Sequence, residues 1–222
     1  MDIKRILSSC DHTLLLQDAT EKDIFALCDD AIKYGTASIC IPPCYVNAAK
    51  KYANGKMKIC TVIGFPLGYQ KANVKVFETE EAVRDGADEI DMVINVGHLK
   101  SKRYTEISDE IKAVRAACKG KILKVIIETC LLSEDEKKEM CKIVGEAGAD
   151  YIKTSTGFSH GGATSDDIKI FAKNRPKGLK IKAAGGIKTL EDAELFLDLG
   201  AERLGTSRIV KIVKSEENIR GY

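Results

Sequence analysis

The stretch Gly148-Ala149-Asp150-Tyr151-Ile152-Lys153-Thr154 carries the pattern that decides the fold. A glycine closes one segment, and a short β-like run, Tyr151–Thr154, follows almost at once. The same punctuation recurs along the chain. Gly35 precedes Ser38–Ile41, Gly55 precedes Lys58–Ile63, and Gly86 precedes Glu89–Ile94. Gly120 precedes Ile122–Glu128, Gly178 precedes Lys180–Ala184, and Gly200 precedes Arg203–Gly205. Such a glycine suits the left-handed residue that ends a helix before the chain turns into a strand.

The segments before these glycines read as helices. Thr20-x-x-Asp23, Ser133-x-x-Glu136 and Thr189-x-x-Asp192 are capping-box patterns, two of them with Asp for the usual Glu. Ile24, Leu27, Cys28 and Ala31 share one face of a helix of period 3.6, as do Ile107, Ile111, Val114 and Ala117. Runs such as Val125-Ile126-Ile127 are continuously apolar and fit parallel strands buried on both faces. An eighth strand is expected near Ser9–Asp11. Eight alternating βα units predict an α/β fold, a single-domain (β/α)8 TIM barrel over residues 1–222. Residues 215–222 read as a short, polar, flexible tail. An open doubly wound sheet is the competing fold, but no GxGxxG follows the first strand.

Composition narrows the function. The 35 Lys and Arg nearly balance the 33 Asp and Glu, and no basic stripe appears, so neither nucleic acid nor a membrane is an expected partner. No run approaches the roughly 18 apolar residues of a membrane span, and the N-terminal segment does not read as an export signal. The eight cysteines are scattered, several inside apolar runs. They read as buried thiols in a reducing cytoplasm. Three histidines without metal spacing predict no metal site.

A barrel of this kind keeps its chemistry at the C-terminal ends of the strands. Polar or small residues four or five positions past the boundary glycines are therefore the candidates. Cys40, Asp91, Lys153, Lys182 and Gly205 meet that criterion. Lys153 and Lys182 fall on consecutive strands, so two ammonium groups could face one cavity; the alternative is a pair of snorkelling surface lysines. Free lysine titrates near 10.4, so only about one in a few thousand is neutral at pH 7. A second cation ~5 Å away, at an effective dielectric of ~20, costs about 3 kcal/mol and lowers the pKa by about two units. Partial desolvation acts in the same direction. One lysine can then be a nucleophile toward a carbonyl, with the other as its perturbing neighbour. The sequence allows either assignment. Asp91, which interrupts an apolar run, is a proton shuttle or a structural ion-pair partner. Asp11 ends the first strand and either faces the cavity or caps a turn. Gly185-Gly186 and Gly205-Thr206-Ser207 follow the seventh and eighth strands, where barrels often hold phosphate, and Gly157 offers another amide. Ordinary turns are the other reading.

These motifs, with Asp11-His12-Thr13-Leu14-Leu15, Ser38-Ile39-Cys40-Ile41, Thr61-Val62-Ile63-Gly64-Phe65-Pro66-Leu67-Gly68, Lys124-Val125-Ile126-Ile127-Glu128-Thr129 and Tyr151-Ile152-Lys153-Thr154-Ser155-Thr156-Gly157, resemble the deoxyribose-phosphate aldolase family. The resemblance runs in order along nearly the whole chain. It implies a class I aldolase with no metal and no cofactor. Such an enzyme interconverts 2-deoxy-D-ribose 5-phosphate with acetaldehyde and D-glyceraldehyde 3-phosphate, in deoxyribose phosphate catabolism. It implies a Schiff base on Lys153, with Lys182 tuning its pKa and joining Asp91 in proton transfer. Asp11, Thr13 and Cys40 would contact substrate, and Gly157, Gly185, Gly186, Gly205 and Ser207 would hold phosphate. Some members end in a tyrosine that moves the enamine proton, a role that Tyr222 could take; a frayed end is the alternative. Relatives are often homodimers. His98 and Arg208 depart from the family pattern and bear on substrate preference, not reaction class. A phosphosugar isomerase or epimerase, or a non-catalytic sugar-phosphate-binding barrel, are the rival readings.

Overall fold

The computed structural model describes residues 1–217 in full and the backbone of 218–220. Tyr222 lies outside the described residues. Eight strands follow one another: β1 (Cys10–Thr13), β2 (Ser38–Ile41), β3 (Ile59–Ile63), β4 (Glu89–Val93), β5 (Ile122–Ile126), β6 (Tyr151–Lys153), β7 (Lys180–Ala184) and β8 (Arg203–Thr206). Each pairs in parallel with the next, and β8 pairs with β1, so the sheet closes into a barrel in chain order. The helices are α1 (Ile3–Ser8), α2 (Glu21–Tyr34), α3 (Val46–Ala53), α4 (Ala72–Arg84), α5 (Val96–Lys100), α6 (Tyr104–Ala117), α7 (Glu134–Glu146), α8 (Ser165–Asn174), α9 (Leu190–Asp198) and α10 (Ile209–Arg220).

The local signals act as expected. All seven boundary glycines have positive φ. Gly35, at φ 65°, is the left-handed cap of α2, a conformation that would strain any residue with a Cβ. Capping boxes form at Thr20/Asp23, Ser133/Glu136 and Thr189/Asp192, and also at Thr164/Asp167. Ile24, Leu27, Cys28 and Ala31 are the buried face of α2. Helix α10 continues through Arg220, with Ile209, Val210 and Val213 buried on it. The strands are buried on both faces, but the two faces differ in kind. Ile39, Ile90, Met92, Leu123, Val125, Ile152, Ile181 and Leu204 join the apolar layer under the helices. Their neighbours in the period-two alternation are Asp11, Glu89, Asp91, Lys124, Lys153, Lys182 and Arg203, all buried.

Lys75 on α4 is fully buried. Its Nζ donates to the Gly68 carbonyl at 2.6 Å and the Val93 carbonyl at 2.8 Å, and pairs with Glu110 on α6 at 2.8 Å. It thus ties the loop after β3 and the end of β4 to α6. Lys75→Ala leaves Glu110 buried without its cation and lowers unfolding free energy by about 3 kcal/mol in urea titration. Combining Lys75→Met with Glu110→Leu recovers the part due to the unpaired Glu110 but not the part due to the Gly68 and Val93 carbonyls, which still lack the Lys75 donor.

His12 is 2% exposed, and its Nδ1 has no hydrogen-bond partner among the described residues. Burial pushes its pKa down to about 4. The unfolded chain, with histidine near 6.5, therefore takes up the proton first as pH falls. Stability is then lost progressively below pH ~6.5 and continues to fall toward pH ~4. Between pH 7 and 5 the loss attributable to His12 is about 2 kcal/mol. His12→Gln removes that slope in chemical denaturation run across the same pH range.

Candidate active site

Parallel register sets the charged residues on two adjoining levels of the barrel. Lys153 is the partner of Lys182, Lys182 of Arg203, and Asp91 of Lys124. Inside the barrel, Asp91 Oδ2 accepts from Lys153 Nζ and from Lys182 Nζ, each at 2.7 Å. Its other oxygen, Oδ1, accepts from Lys124 Nζ at 2.8 Å. Burial alone would push the Asp91 carboxyl up, but Lys124, Lys153 and Lys182 together hold it well below the usual carboxylate range.

A second layer of ions surrounds this group. Lys182 Nζ lies 2.5 Å from Asp11 Oδ2. Lys124 Nζ lies 2.6 Å from Glu89 Oε2, which also accepts from Arg203 at 2.7 Å. Asp11 Oδ1 accepts from Arg203 Nε and from Ser38 Oγ, each at 2.8 Å. Burial disfavours the Lys182 ammonium, yet Asp11 and Asp91 outweigh it and raise its pKa above the usual lysine value. Lys124 is likewise held charged, against burial, by carboxylates that include Asp91, Asp11 and Glu89.

The candidates from sequence divide into three groups. Lys153, Lys182 and Asp91 meet directly. Lys153 also lines an open cleft of about 760 Å³, together with Thr13, Gly157, Gly185, Gly186, Gly205 and Ser207. Asp11 and Cys40 do not line it. Asp11 is fully buried beneath Lys182, and Cys40 packs with Cys60 and Val62. Both were expected to contact substrate; the inward alternation of β1 and β2 instead points them at other barrel residues. Arg208 lines the cleft near Ser207, and His98 on α5 does not.

One end of the cleft is suited to an anion. Gly185 and Gly186 turn with φ 75° and 78°, and Gly157 has φ 85°. Helix α10 begins just past Ser207, so its free amides and dipole face this end. Lys188, Arg208 and Lys211 add positive charge there. The loop carrying Thr156 and Gly157 is held by Glu128, whose carboxylate accepts from the Thr156 hydroxyl at 2.5 Å and its amide at 3.2 Å. Gly205 has a further reason to be glycine. A Cβ there would lie 3.1 Å from Lys182 Cε and 2.9 Å from Ala184 Cβ.

The sequence reading missed Lys124, Glu89, Arg203, Cys60 and Glu128. The criterion that found Lys153 reaches two of them. Lys124 lies four residues past Gly120, and Cys60 five past Gly55. Glu89 and Arg203 lie three past their glycines, one pleat nearer the strand start, and a filter set two residues deeper excluded them. Nothing local marks Glu128, whose φ of 55° follows from the turn out of β5.

Comparisons with known proteins agree with this geometry. A sequence profile described as DeoC/LacD family aldolase matches residues 5–205. The chain is 55% identical over 215 residues to a deoxyribose-phosphate aldolase of Clostridioides difficile strain 630, covering 97% of this chain and 98% of that one. It is 54% identical over 222 residues to the deoxyribose-phosphate aldolase of Clostridium botulinum strain Alaska E43, covering the whole of both. The deoxyribose phosphate aldolase of Aeropyrum pernix, described as tetrameric, superposes with a TM-score of 0.90 at 32% identity, over 98% of this chain and 93% of that one. By profile, sequence and fold together, this chain belongs to the DeoC/LacD family of aldolases.

Proposed function

We propose that the chain is a class I aldolase that cleaves 2-deoxy-D-ribose 5-phosphate through a Schiff base on Lys153. One observation carries this reading: a single oxygen of Asp91 is shared, at 2.7 Å each, by a lysine that lines the cleft and a lysine buried behind it. Charge balance distinguishes the two amines. Lys124, Lys153, Lys182 and Arg203 face Asp11, Glu89 and Asp91, four cations against three carboxylates. Loss of one proton leaves the cluster neutral. Lys182 holds two carboxylates and Lys153 only one. Lys153 is therefore the less tightly held amine, and it is the one that substrate can reach. The two-lysine argument from sequence omitted the carboxylate between them, and Asp91 together with Asp11 holds Lys182 charged against burial.

The neutral Lys153 amine adds to the C1 aldehyde of the open-chain sugar, and loss of water with uptake of one proton gives a protonated imine. A base removes the C3 hydroxyl proton, the C2–C3 bond breaks, and D-glyceraldehyde 3-phosphate departs. The bonding electrons move onto the imine, leaving a neutral enamine instead of a bare carbanion. Protonation at C2 and hydrolysis release acetaldehyde. Asp91 and Lys182 serve as proton carriers through water. Gly157, Gly185, Gly186, Ser207 and the start of α10 hold the phosphate, with Gly205 leaving room for Lys182 beside it. By likeness to the Aeropyrum pernix protein, the reading includes self-association of the chain. An isomerase or epimerase on the same barrel would share the phosphate end but would have no use for an imine.

The test is reductive trapping. Incubation with 2-deoxyribose 5-phosphate and borohydride is expected to leave a reduced adduct on Lys153, located by mass spectrometry. Lys153→Met lowers turnover by about a thousandfold or more and abolishes the adduct. Lys182→Met retains Lys153 as the site of any adduct while lowering turnover. An adduct on Lys182 in the unaltered protein reverses the lysine roles, and no adduct in folded protein defeats the aldolase reading.

A further inference from the structure

The barrel interior also holds a reactive pair that the proposed reaction does not use. Cys40 on β2 and Cys60 on β3 are register partners. Both are free and buried. Adjacent strands lie about 4.8 Å apart. That spacing falls within the roughly 4.4–6.8 Å between Cα atoms that a disulfide spans. The two sulfurs and an Asp91 carboxylate oxygen lie within 4.8 Å of one another. Cys60 Sγ is 3.2 Å from Asp91 Oδ1 and 3.3 Å from Lys124 Nζ. Leu15 and Phe65 pack on the cluster that the pair forms with Val62, and Leu15 also lines the cleft.

We propose that Cys40 and Cys60 form a peroxide-responsive dithiol–disulfide pair that sets whether the lysine cluster is competent. The Cys40 thiolate attacks one oxygen of hydrogen peroxide, the O–O bond breaks, and the departing oxygen leaves as water. Cys40 is then a sulfenic acid. Cys60 sulfur attacks Cys40 sulfur, the S–O bond breaks, and a second water leaves with the Cys60 proton. Two thiols and one hydrogen peroxide thus become one disulfide and two waters. The order of attack follows from the environments. The neighbouring Cys60 side chain lowers the Cys40 pKa against the opposing effect of burial, whereas burial raises that of Cys60.

The same sulfurs, with Asp91, are a donor set for a soft metal ion. Electrostatics disfavours that occupant. Asp91 already accepts from three ammonium groups, and one of them touches Cys60. A metal ion would add charge to an existing excess; a disulfide adds none. Bridging draws Cys60 Sγ toward Cys40 and away from Asp91 and Lys124. The carboxylate that positions Lys153 then shifts, and a displacement of even 1 Å in such a constellation costs about a hundredfold in rate.

The experiment treats the full chain with hydrogen peroxide, alkylates free thiols in denaturant, and maps unreduced peptides by mass spectrometry. Cleavage of 2-deoxyribose 5-phosphate is assayed in parallel. The expected result is a cross-linked peptide joining Cys40 to Cys60, with activity falling about tenfold or more in step with it. Dithiothreitol reverses both. In Cys60→Ser, Cys40 passes instead to the sulfinic acid, which dithiothreitol does not reverse. The unaltered protein's peptide map suffices if that variant does not fold. Oxidation confined to exposed Cys44 or half-buried Cys130, with Cys40 and Cys60 still alkylated, overturns the pair. A cross-link that leaves activity unchanged overturns the switch. The map needs no substrate, so failure of the aldolase reading is seen separately.

Discussion

The Asp91 carboxylate is the contact on which the rest of the barrel interior depends. Its two oxygens accept from Lys124 on β5, Lys153 on β6 and Lys182 on β7. One side chain on β4 therefore fixes the relative height of four consecutive strands. Without it, three ammonium groups would share a dry volume, and each buried ion costs several kcal/mol unless paired. Asp11 and Glu89 extend the same constraint to β8 through Arg203. Slipping any of these strands by one residue would turn a charge toward the helices and an apolar residue toward the cavity.

That arrangement separates stability from chemistry. The apolar layer lies between sheet and helices, where Ile39, Ile90, Ile152 and Ile181 are fully buried. Each such side chain contributes about 2–3 kcal/mol relative to an exposed one. The inner face contributes little net stability, since its ion pairs roughly offset their own desolvation. It supplies instead a fixed set of charges with one proton too many, already oriented before any substrate arrives. The helices hold the barrel together so that its interior can be polar.

What could be read from the chain follows this division. Boundary glycines, capping boxes and helical faces are local, and local chemistry determined them: Gly35 had to be left-handed whatever lay beyond it. The lysine pair was legible because Lys153, five past Gly148, and Lys182, four past Gly178, fall near the same point of consecutive parallel strands. Lys124 escaped notice because Val125-Ile126-Ile127 after it read as a uniformly apolar strand, although alternation puts Lys124 on the inner face. Asp11 and Cys40 were placed at the correct end of the barrel but on the wrong side of their neighbours. Whether a side chain reaches the cleft or stops beneath Lys182 depends on the girth of the closed barrel. Gly205 shows the same limit, since its contact with Lys182 Cε joins two strands whose spacing only closure defines.

Closure has a kinetic consequence as well. Arg203 and Asp11 are 192 residues apart in sequence, and their contact joins the last strand to the first. Until β8 docks, Asp11 and Glu89 lack their guanidinium, and the β1 and β7 edges are open. The charged inner face therefore gives little reward to a partly closed sheet, whereas the apolar outer face rewards each βα unit as it is added. Contacts of this range carry the largest loop-closure entropy and form late. The Asp91 contacts can form within the arc β4–β7, whereas those of Arg203 with Asp11 and Glu89 require the final strand. The cleft and its anion end come into existence with that strand, which is why the site has no smaller version of itself in any part of the fold.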